Sequence, residues 1–345
     1  MGPIPMLSTA PPTRSRRLLL VVDAPSLLHR HHHARSHTRL VDRAGRPAWA
    51  LHGMLRQIIE AIEGFAPDAV VFGLDDRTAS SRRDRYPDYK AGRAEKDPDL
   101  VDQLDRAGAL LDALGLATHT PPGLEADDVN ASGATWATRH GWDCVIITSD
   151  RDAFAHISDH TQVLRLIDGG LHGSPLLNPA RLHRMYGVAA HNYLAYAALR
   201  GDSSDNLPGV PGIGKRSAAV LLDVAGSMRA AWADVDHAQG HSLAAALDEW
   251  AVETGARRLG ATVVRRLSAP GARERYDFNV AMMAGRDDLD LGLTPDVPDT
   301  PGLLPLDPVR VGHVVGFLGV QATTDLAVRV LSGDPASRSA MPVAD

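Results

Sequence analysis

The stretch Leu18-Leu-Leu-Val-Val-Asp23 is a short apolar run that ends in an aspartate. The same pattern returns in Ala69-Val-Val-Phe-Gly-Leu-Asp75 and in Cys144-Val-Ile-Ile-Thr-Ser-Asp150. Short runs rich in Val, Ile and Leu are typical of buried β-strands. The carboxyl ends of parallel strands lie at one edge of a sheet, so we expect the three terminal aspartates to meet there.

Along the chain, predicted strands such as these alternate with helical patterns. The predicted strands are 18–23, 69–75, 116–119, 144–149 and 162–166. The intervening helical patterns are 51–63, 100–114 and 125–139. This alternation predicts an α/β domain around a mostly parallel sheet, over residues 18–178.

From about residue 178 the pattern changes to helices alone. The candidate helices are 179–186, 191–199 and 214–224, and a glycine-rich hairpin joins the last two. We therefore predict a second, helical domain over residues 179–331. It would contain a Pro-rich surface loop at 294–308 and a final helix or strand at 309–318. The composition of residues 1–17 predicts a disordered N-terminal tail, and residues 332–345 are expected to form a flexible C-terminal tail.

Composition narrows the class of protein. The chain has 345 residues, 44% of them hydrophobic, and a net charge of −6, which indicates a globular core and excludes a generic basic coat. One cysteine, Cys144, allows no internal disulfide and favours a reducing, cytoplasmic setting. No run is long enough for a signal peptide or a membrane span, so we expect no membrane association. Nothing in the sequence demands more than a monomer.

Nine carboxylates fall in five clusters near the predicted sheet edge. They are Asp23, Asp75, Glu125, Asp127, Asp128, Asp150, Asp152, Asp202 and Asp205. Each cluster alone has a simpler explanation as a helix cap or a turn. Crowded together, the nine would repel one another and raise each other's pKa unless cations were bound.

The chemistry of the candidate ligand atoms indicates which cation the site would bind. All donors are oxygens, with no Cys or His at ligand spacing, which favours Mg²⁺ or Mn²⁺ over zinc. Sites of this kind usually hold two ions that bracket a phosphate during in-line displacement. The sequence therefore predicts a two-metal phosphodiesterase.

A basic segment, residues 77–96, directly follows Asp75. It carries seven basic residues and three acids, and Tyr86 and Tyr89 within it offer faces on which bases could stack. A solvated, salt-bridged loop is the alternative interpretation. The position beside the acidic cluster favours a phosphate substrate that enters over the metals.

Four motifs together resemble the bacterial 5′→3′ exonuclease and flap endonuclease family, including the 5′ nuclease domain of DNA polymerase I. The match runs from about Leu18 to Leu331 and resembles the standalone form. The motifs are Arg82, Tyr86 and Tyr89-Lys90-Ala-Gly-Arg93; Glu125-Ala-Asp-Asp128; Thr148-Ser-Asp-Arg-Asp152; and Gly201-Asp-Ser-Ser-Asp-Asn-Leu-Pro-Gly-Val-Pro-Gly-Ile-Gly214. The resemblance implies a PIN-like (resolvase-like) nuclease domain followed by a helix–hairpin–helix (H3TH) domain.

The resemblance also implies how the carboxylates are shared between two metals. Asp23, Asp75, Glu125 and Asp127 would hold the first ion. Asp152, Asp202 and Asp205 would hold the second, with Asp150 between the two and Asp128 acting through water.

The resemblance implies the following contacts to DNA. Lys90 would steer the scissile phosphate, supported by Arg93 and Arg82, with Tyr86 and Tyr89 nearby. The backbone of the hairpin and the start of the next helix would grip duplex phosphates, through Gly209, Val210, Gly212, Ile213, Gly214, Lys215 and Arg216. A K⁺ ion often assists this hairpin in the family. The expected partner is duplex DNA with a 5′ flap, a nick or a 5′ end, and binding of RNA–DNA hybrids is left open.

Two positions depart from the family's pattern. Ala24 and Pro25 follow the first aspartate where Gly is usual, and Ser81 stands where an aromatic commonly precedes the arginine. Ser81 in place of an aromatic could weaken the ordering of the displaced DNA strand. No acidic ligand is missing, so we expect activity.

The histidine tract His29–His37 is interpreted as a solvated or DNA-facing helix rather than a transition-metal site. The five tryptophans are interpreted as packing residues. The main hypothesis is a structure-specific 5′ nuclease that removes primers or flaps in replication and repair. A PIN-type ribonuclease and a catalytically silent DNA-binding protein remain as alternatives.

Overall fold

A six-stranded sheet forms the centre of the fold, which a computed structural model describes for residues 15–168 and 170–333. The strands are Leu18–Asp23 (β1), Ala69–Gly73 (β2), Ala117–His119 (β3), Asp143–Thr148 (β4), Thr161–Arg165 (β5) and Leu176–Leu177 (β6). Their order is β3-β2-β1-β4-β5-β6, with β6 alone antiparallel to its neighbour. The predicted parallel sheet is confirmed: its five predicted strands begin and end within two residues of their expected places, and the short strand β6 was not predicted.

Helices cover both faces of this sheet. The helices of the first half are Ala24–Arg35 (α1), Trp49–Phe65 (α2), Ser81–Arg85 (α3), Pro98–Leu114 (α4), Ala126–Arg139 (α5) and Gly170–Gly173 (α6). α1 begins at Ala24 because the Asp23 carboxylate accepts from the Ser26 amide at 2.9 Å and Pro25 suits a first turn. α4 ends at Leu114 because Gly115 adopts φ +90°, which closes the helix.

The second half is helical, as predicted, around one small hairpin. Its helices are Pro179–Tyr186 (α7), Tyr193–Arg200 (α8), Lys215–Ala225 (α9), Met228–Ala238 (α10), His241–Glu253 (α11), Gly260–Leu267 (α12), Ala272–Met283 (α13), Pro308–Gly316 (α14) and Gln321–Leu331 (α15). Between α8 and α9, the strands Gly201–Asp202 (β7) and Leu207–Pro208 (β8) pair antiparallel. The predicted helix–hairpin–helix is thus present as α8, the hairpin and α9.

The C-terminal helices correct one expectation. The stretch predicted as a final helix or strand is the helix α14, and a further helix, α15, follows it. α14 packs against α4 and α15 against α2, both in the first half, where Val311, Val315 and Val330 join its apolar core. We therefore propose that α14 and α15 complete the α/β domain. The boundary near residue 179 stays a prediction.

The tails predicted at residues 1–17 and 332–345 fall largely outside the described residues. Within the described part of the chain, no helix is both long enough and apolar enough to cross a membrane.

Candidate metal and nucleic-acid site

Three strand-end aspartates lie on the wall of one cleft of about 620 Å³. Asp23 is the last residue of β1, and Asp75 and Asp150 each come two residues after the end of β2 and β4. These three strands are neighbours in the sheet, so their carboxyl ends converge. The structure therefore brings these three side chains together, as the strand pattern predicts.

The start of α5 adds two more carboxylates to this cleft. Glu125 immediately precedes the helix and Asp127 lies in its first turn. The Ala126 amide donates to Asp75 at 3.0 Å, which fixes the helix start against the end of β2. The four carboxylates predicted around the first metal therefore lie together with Asp150.

A second group of carboxylates approaches from the other side. Asp152 opens a 3₁₀ turn after β4, while Asp202 and Asp205 lie in and just after β7. The charges of Asp202 and Asp205, with that of Asp150, add to the effect of burial in raising the pKa of Asp152. Asp202 is held in place by the amide of Ser204 at 2.8 Å.

Burial and mutual repulsion set the protonation of this cluster. Burial raises the pKa of Asp23 to about 7, against hydrogen bonds from Thr148 and Ser26 that lower it. Burial, followed by the neighbouring charges of Asp150, Asp205 and Asp202, raises the pKa of Asp152 to about 8. The pKa of Asp127 is also raised, first by burial and then by Asp150 and Asp23. Negative charge in the cleft is therefore under-compensated by protein groups.

The residues fit a divalent cation by their chemistry. The carboxylates supply only hard oxygen donors, and cations would relieve the raised pKa values. Even so, among residues 15–168 and 170–333 no three acidic, histidine or cysteine side chains already form a group that could hold a metal ion.

The ammonium group of Lys90 contacts both sets of carboxylates. Lys90 Nζ donates to both oxygens of Glu125 at 3.0 Å and lies 3.9 Å from Asp205. These charges raise the pKa of Lys90 although burial, the largest effect, lowers it. Arg93 reaches Asp205 at 2.8 Å, and Lys96 lines the same cleft. Lys90 and Arg93 thus lie where the sequence placed them, beside the acidic cluster.

Arg82 and Asp128 lie in a different place from the one predicted. The Arg82 guanidinium donates to both oxygens of Asp128, at 2.9 and 3.0 Å, and to the Met282 carbonyl at 3.0 Å. Asp128 is 1% exposed and also accepts from the amides of Glu125 and Arg286. This buried pair joins α3, α5 and the end of α13, so we assign both residues a positioning role rather than contact with metal or phosphate.

Of the two tyrosines predicted as stacking surfaces, Tyr89 is buried, which contradicts the prediction, whereas Tyr86 is half-exposed and stays a prediction. Tyr89 is 3% exposed, and its hydroxyl donates to Glu125 at 3.0 Å. Tyr86 packs edge-to-face against Phe278 at 5.4 Å between ring centroids. The Tyr89 ring is used within the protein, and one edge of Tyr86 is covered, because the basic segment packs onto the cleft and onto α13. Stacking on bases was predicted from spacing alone, which does not report burial.

The hairpin uses several of the amides that were predicted to grip phosphates. Val210 N donates to Leu199 O, Ile213 N to Val210 O, and Gly214 N to the Ser217 hydroxyl, at 2.8 to 3.0 Å. The free donors are therefore the amide of Gly212, which has no acceptor among the described residues, and the first turn of α9 with its exposed Lys215 and Arg216. Gly209 shapes the hairpin, since a Cβ there would lie 2.2 Å from the Arg200 carbonyl oxygen.

Three residues that the sequence left without a role contribute to the site. His29 and His33 line the cleft from α1, and burial, with nearby Lys96, lowers the pKa of His29 to about 4. Asn279, fully buried on α13, donates to the carbonyls of Ala198 and Pro208 and so fixes the hairpin. The helical spacing of the histidines was visible in the sequence; the contact of Asn279 with the hairpin was not.

Two family models match the chain over consecutive ranges. The 5′-3′ exonuclease N-terminal resolvase-like domain matches residues 18–187, and the 5′-3′ exonuclease C-terminal SAM fold matches residues 188–276. Together they cover more than half of the chain.

Curated relatives are DNA polymerases I. That of Mycobacterium tuberculosis (strain ATCC 25618 / H37Rv) is 34% identical over 227 residues, which are 66% of this chain and 25% of the relative. The thermostable enzyme of Thermus aquaticus is 38% identical, over 63% of this chain and 25% of the relative. That of Chloroflexus aurantiacus is 30% identical, over 94% and 35% respectively. The chain thus spans about a quarter to a third of the length of these relatives.

Solved structures share the fold. T5 5′-exonuclease with bound zinc aligns with a TM-score of 0.56 and 17% identity, over 91% of this chain and 98% of that chain. The catalytic core of Rad2 in complex with DNA substrate aligns with a TM-score of 0.52 and 18% identity, over 92% of both chains. The family models, the relatives and this shared architecture agree, and the chain belongs to the 5′-3′ exonuclease family.

Proposed function

We propose that this chain is a structure-specific 5′-3′ exonuclease and flap endonuclease that hydrolyses DNA phosphodiester bonds with two Mg²⁺ or Mn²⁺ ions. The observation that carries the proposal is the cleft in which strand-end and helix-start carboxylates face Lys90 and Arg93. Family membership and a T5 flap endonuclease structure described as a complex with DNA and metal ions support it.

The metal shells are part of this proposal. Asp23, Asp75, Glu125 and Asp127 would hold one ion, and Asp152, Asp202 and Asp205 the other, with Asp150 between them. When bound, such ions supply a hydroxide nucleophile and stabilise charge on the phosphate. We do not include Asp128 among the metal ligands, because Arg82 and two backbone amides already donate hydrogen bonds to its oxygens.

The chain's own cations would position the substrate. Lys90 and Arg93 are within reach of the carboxylates, so a phosphate held over the metals would meet their donors. The exposed start of α9, with Lys215 and Arg216, would bind duplex phosphates without reading the bases. We also propose a K⁺ ion at the hairpin, a monomeric state and a cytoplasmic location.

The substrate would be duplex DNA with a 5′ flap, a nick or a 5′ end, cut during flap or primer removal in replication and repair. End-labelled 5′-flap DNA, nicked duplex and single-stranded RNA, each with Mg²⁺ or EDTA, test this. We expect Mg²⁺-dependent cutting of the flap, abolished in Asp152→Asn and retained in Asp325→Asn, a matched change on α15.

The remaining outcomes identify the alternatives. Cutting that survives EDTA contradicts the metal mechanism. Preference for single-stranded RNA identifies a PIN-type ribonuclease. Tight flap binding without any cutting identifies a silent DNA-binding protein.

A further inference from the structure

A second concave surface, which shares no lining residue with the acidic cleft, lies beside the start of α9. We call it the arginine groove and define it by Arg151, Arg165, Arg200, Lys215 and Arg216. Its rim also carries the rings of Tyr186, Tyr196 and Trp250, and its one acid is Asp223. Five permanent positive charges face one negative charge there, in a chain whose net charge is −6.

The cations of the arginine groove lack counter-charges. Within the described residues, none of the five has a carboxylate within 4.0 Å except Arg200, whose guanidinium is 3.9 Å from Asp202. Arg151, Arg165 and Arg200 are nevertheless half-buried, and the Nε of Arg165 is buried without a hydrogen-bond partner.

Two other arginines with little exposed side-chain surface are paired with carboxylates. Arg106, with 17% of its side chain exposed, contacts both Asp42 and Asp102, and Arg82 contacts Asp128. Withdrawing a charged group from water without a partner is unfavourable, so an external anion would stabilise the groove. The three half-buried guanidinium groups, those of Arg151, Arg165 and Arg200, thus point to an anionic ligand that supplies several charges.

The arginine groove is continuous with the catalytic region. Arg151, Arg200 and Lys215 also line a neighbouring hollow, whose lining includes Asp202 and Gly209 of the hairpin. A chain of phosphates bound at the acidic cleft could therefore continue past Arg200 and Arg151 to the start of α9. There, the free amides of the first helical turn also favour phosphate.

We propose that Arg151, Arg165 and Arg200 form a second phosphate-binding site, which holds the DNA backbone between the acidic cleft and the hairpin. The inference deepens the proposed function and rests on it. It assigns DNA contacts to three residues beyond the basic segment and the hairpin.

A charge-matched pair of triple variants tests the site. One combines Arg151→Gln, Arg165→Gln and Arg200→Gln. The control combines Arg56→Gln, Arg310→Gln and Arg329→Gln, which removes the same charge from residues outside the cleft and the groove. Binding of 5′-flap duplex DNA is measured in EDTA at several KCl concentrations, so that no cutting occurs.

Each phosphate that the protein no longer neutralises lowers the slope of log Kd against log salt by about 0.9. We therefore expect the groove variant to show a slope smaller by about two to three and to bind roughly tenfold more weakly at fixed salt. The control should keep the wild-type slope. Restoring the three positions as lysines should recover the slope, because lysine keeps the charge.

Equal slopes for the groove variant and the control would overturn the proposal. If the triple variant does not fold, as judged by circular dichroism, Arg151→Gln alone replaces it, since that side chain makes no hydrogen bond or ion pair in the described residues; an unchanged slope there also overturns the proposal. Failure of the proposed function gives a different result: wild-type protein that binds flap DNA but does not cut it in Mg²⁺, with the slope difference intact.

Discussion

Lys90 combines an unusual backbone with a central charge. Its φ of +57° lies in the left-handed region, which is unfavourable for a side chain that is not Gly or Asn. The conformation is kept by the bond from its amide to the Asp205 carbonyl and by the contacts of its ammonium with Glu125. Strain of this kind is commonly found at functional sites.

Lys90→Ala should slow cleavage far more than it weakens binding. Loss of a donor aimed at the reacting phosphate lowers the single-turnover rate by roughly 100-fold, whereas DNA binding depends on many other cations. Lys90→Gly is the matched control, because glycine accepts the positive φ and still lacks the ammonium; it should show the same loss of rate. Equal losses in rate and affinity for Lys90→Ala would refute a transition-state role.

We predict that Arg82 stabilises the folded protein. Removing one partner of a buried ion pair leaves the other charge unpaired, so Arg82→Ala should lower the free energy of unfolding by about 3–5 kcal/mol. Arg93→Ala removes a guanidinium whose side chain is 54% exposed, and should lower it by about 1 kcal/mol at most. Urea unfolding of the two variants measures the difference, and similar values would argue against the positioning role of the Arg82–Asp128 pair.

At the scale of elements, the hairpin between α8 and α9 depends on close backbone packing. Gly201 has φ +77°, and a Cβ at Gly209 would lie 2.2 Å from a backbone oxygen of α8, whereas a Cβ at Gly214 would meet no atom within 4 Å. Small residues are thus required at the crossing of the hairpin and α8, but space is open at the entry to α9.

Gly209→Ala should therefore displace the hairpin, and Gly214→Ala should not. We expect duplex affinity to fall roughly tenfold or more in the first variant, since backbone donors shifted from their phosphates lose charge-assisted bonds. The second should bind like wild type. Fluorescence anisotropy with duplex DNA in EDTA distinguishes the two, and wild-type affinity in Gly209→Ala would contradict the tight crossing.

The elements also show what the sequence could and could not predict. Strand-end aspartates were predictable because periodicity is local and the edge of a parallel sheet follows from topology. The partner of Asp128 was not, because Arg82 lies on a separate helix and reaches it only in the folded state. Tyr89 illustrates the same limit: its spacing within the basic segment is visible, but its burial depends on how that segment folds.

At the scale of the whole molecule, the acidic cluster couples folding to pH and to divalent ions. The pKa of Asp23 is raised to about 7 and that of Asp152 to about 8, from 3.8. The unfolded chain releases these protons near pH 4 and the folded protein only near pH 7 to 8. Between these values the unfolded state binds fewer protons, so this contribution to stability falls as pH rises.

In EDTA, Asp152→Asn should therefore raise the Tm at pH 8.5 and leave it nearly unchanged at pH 4. A gain of about 1 kcal/mol corresponds to a shift of about 1–2 °C for a chain of 345 residues. Mg²⁺ should raise the Tm of wild type more at pH 8.5 than at pH 5, and should have less effect on the variant. Differential scanning calorimetry measures both, and a Mg²⁺ shift that does not depend on pH would contradict the assignment.

The return of α14 and α15 to the first half has a consequence for synthesis on the ribosome. The apolar surfaces of α2 and α4 are translated early, but the helices that cover them end at Leu331. The last strand of the sheet ends at residue 177. At a synthesis rate of about 5–20 residues per second, α14 and α15 are complete roughly 8–30 s later. During that interval a nascent chain exposes an apolar face, which makes it a substrate for chaperones that bind such surfaces before the last helices emerge.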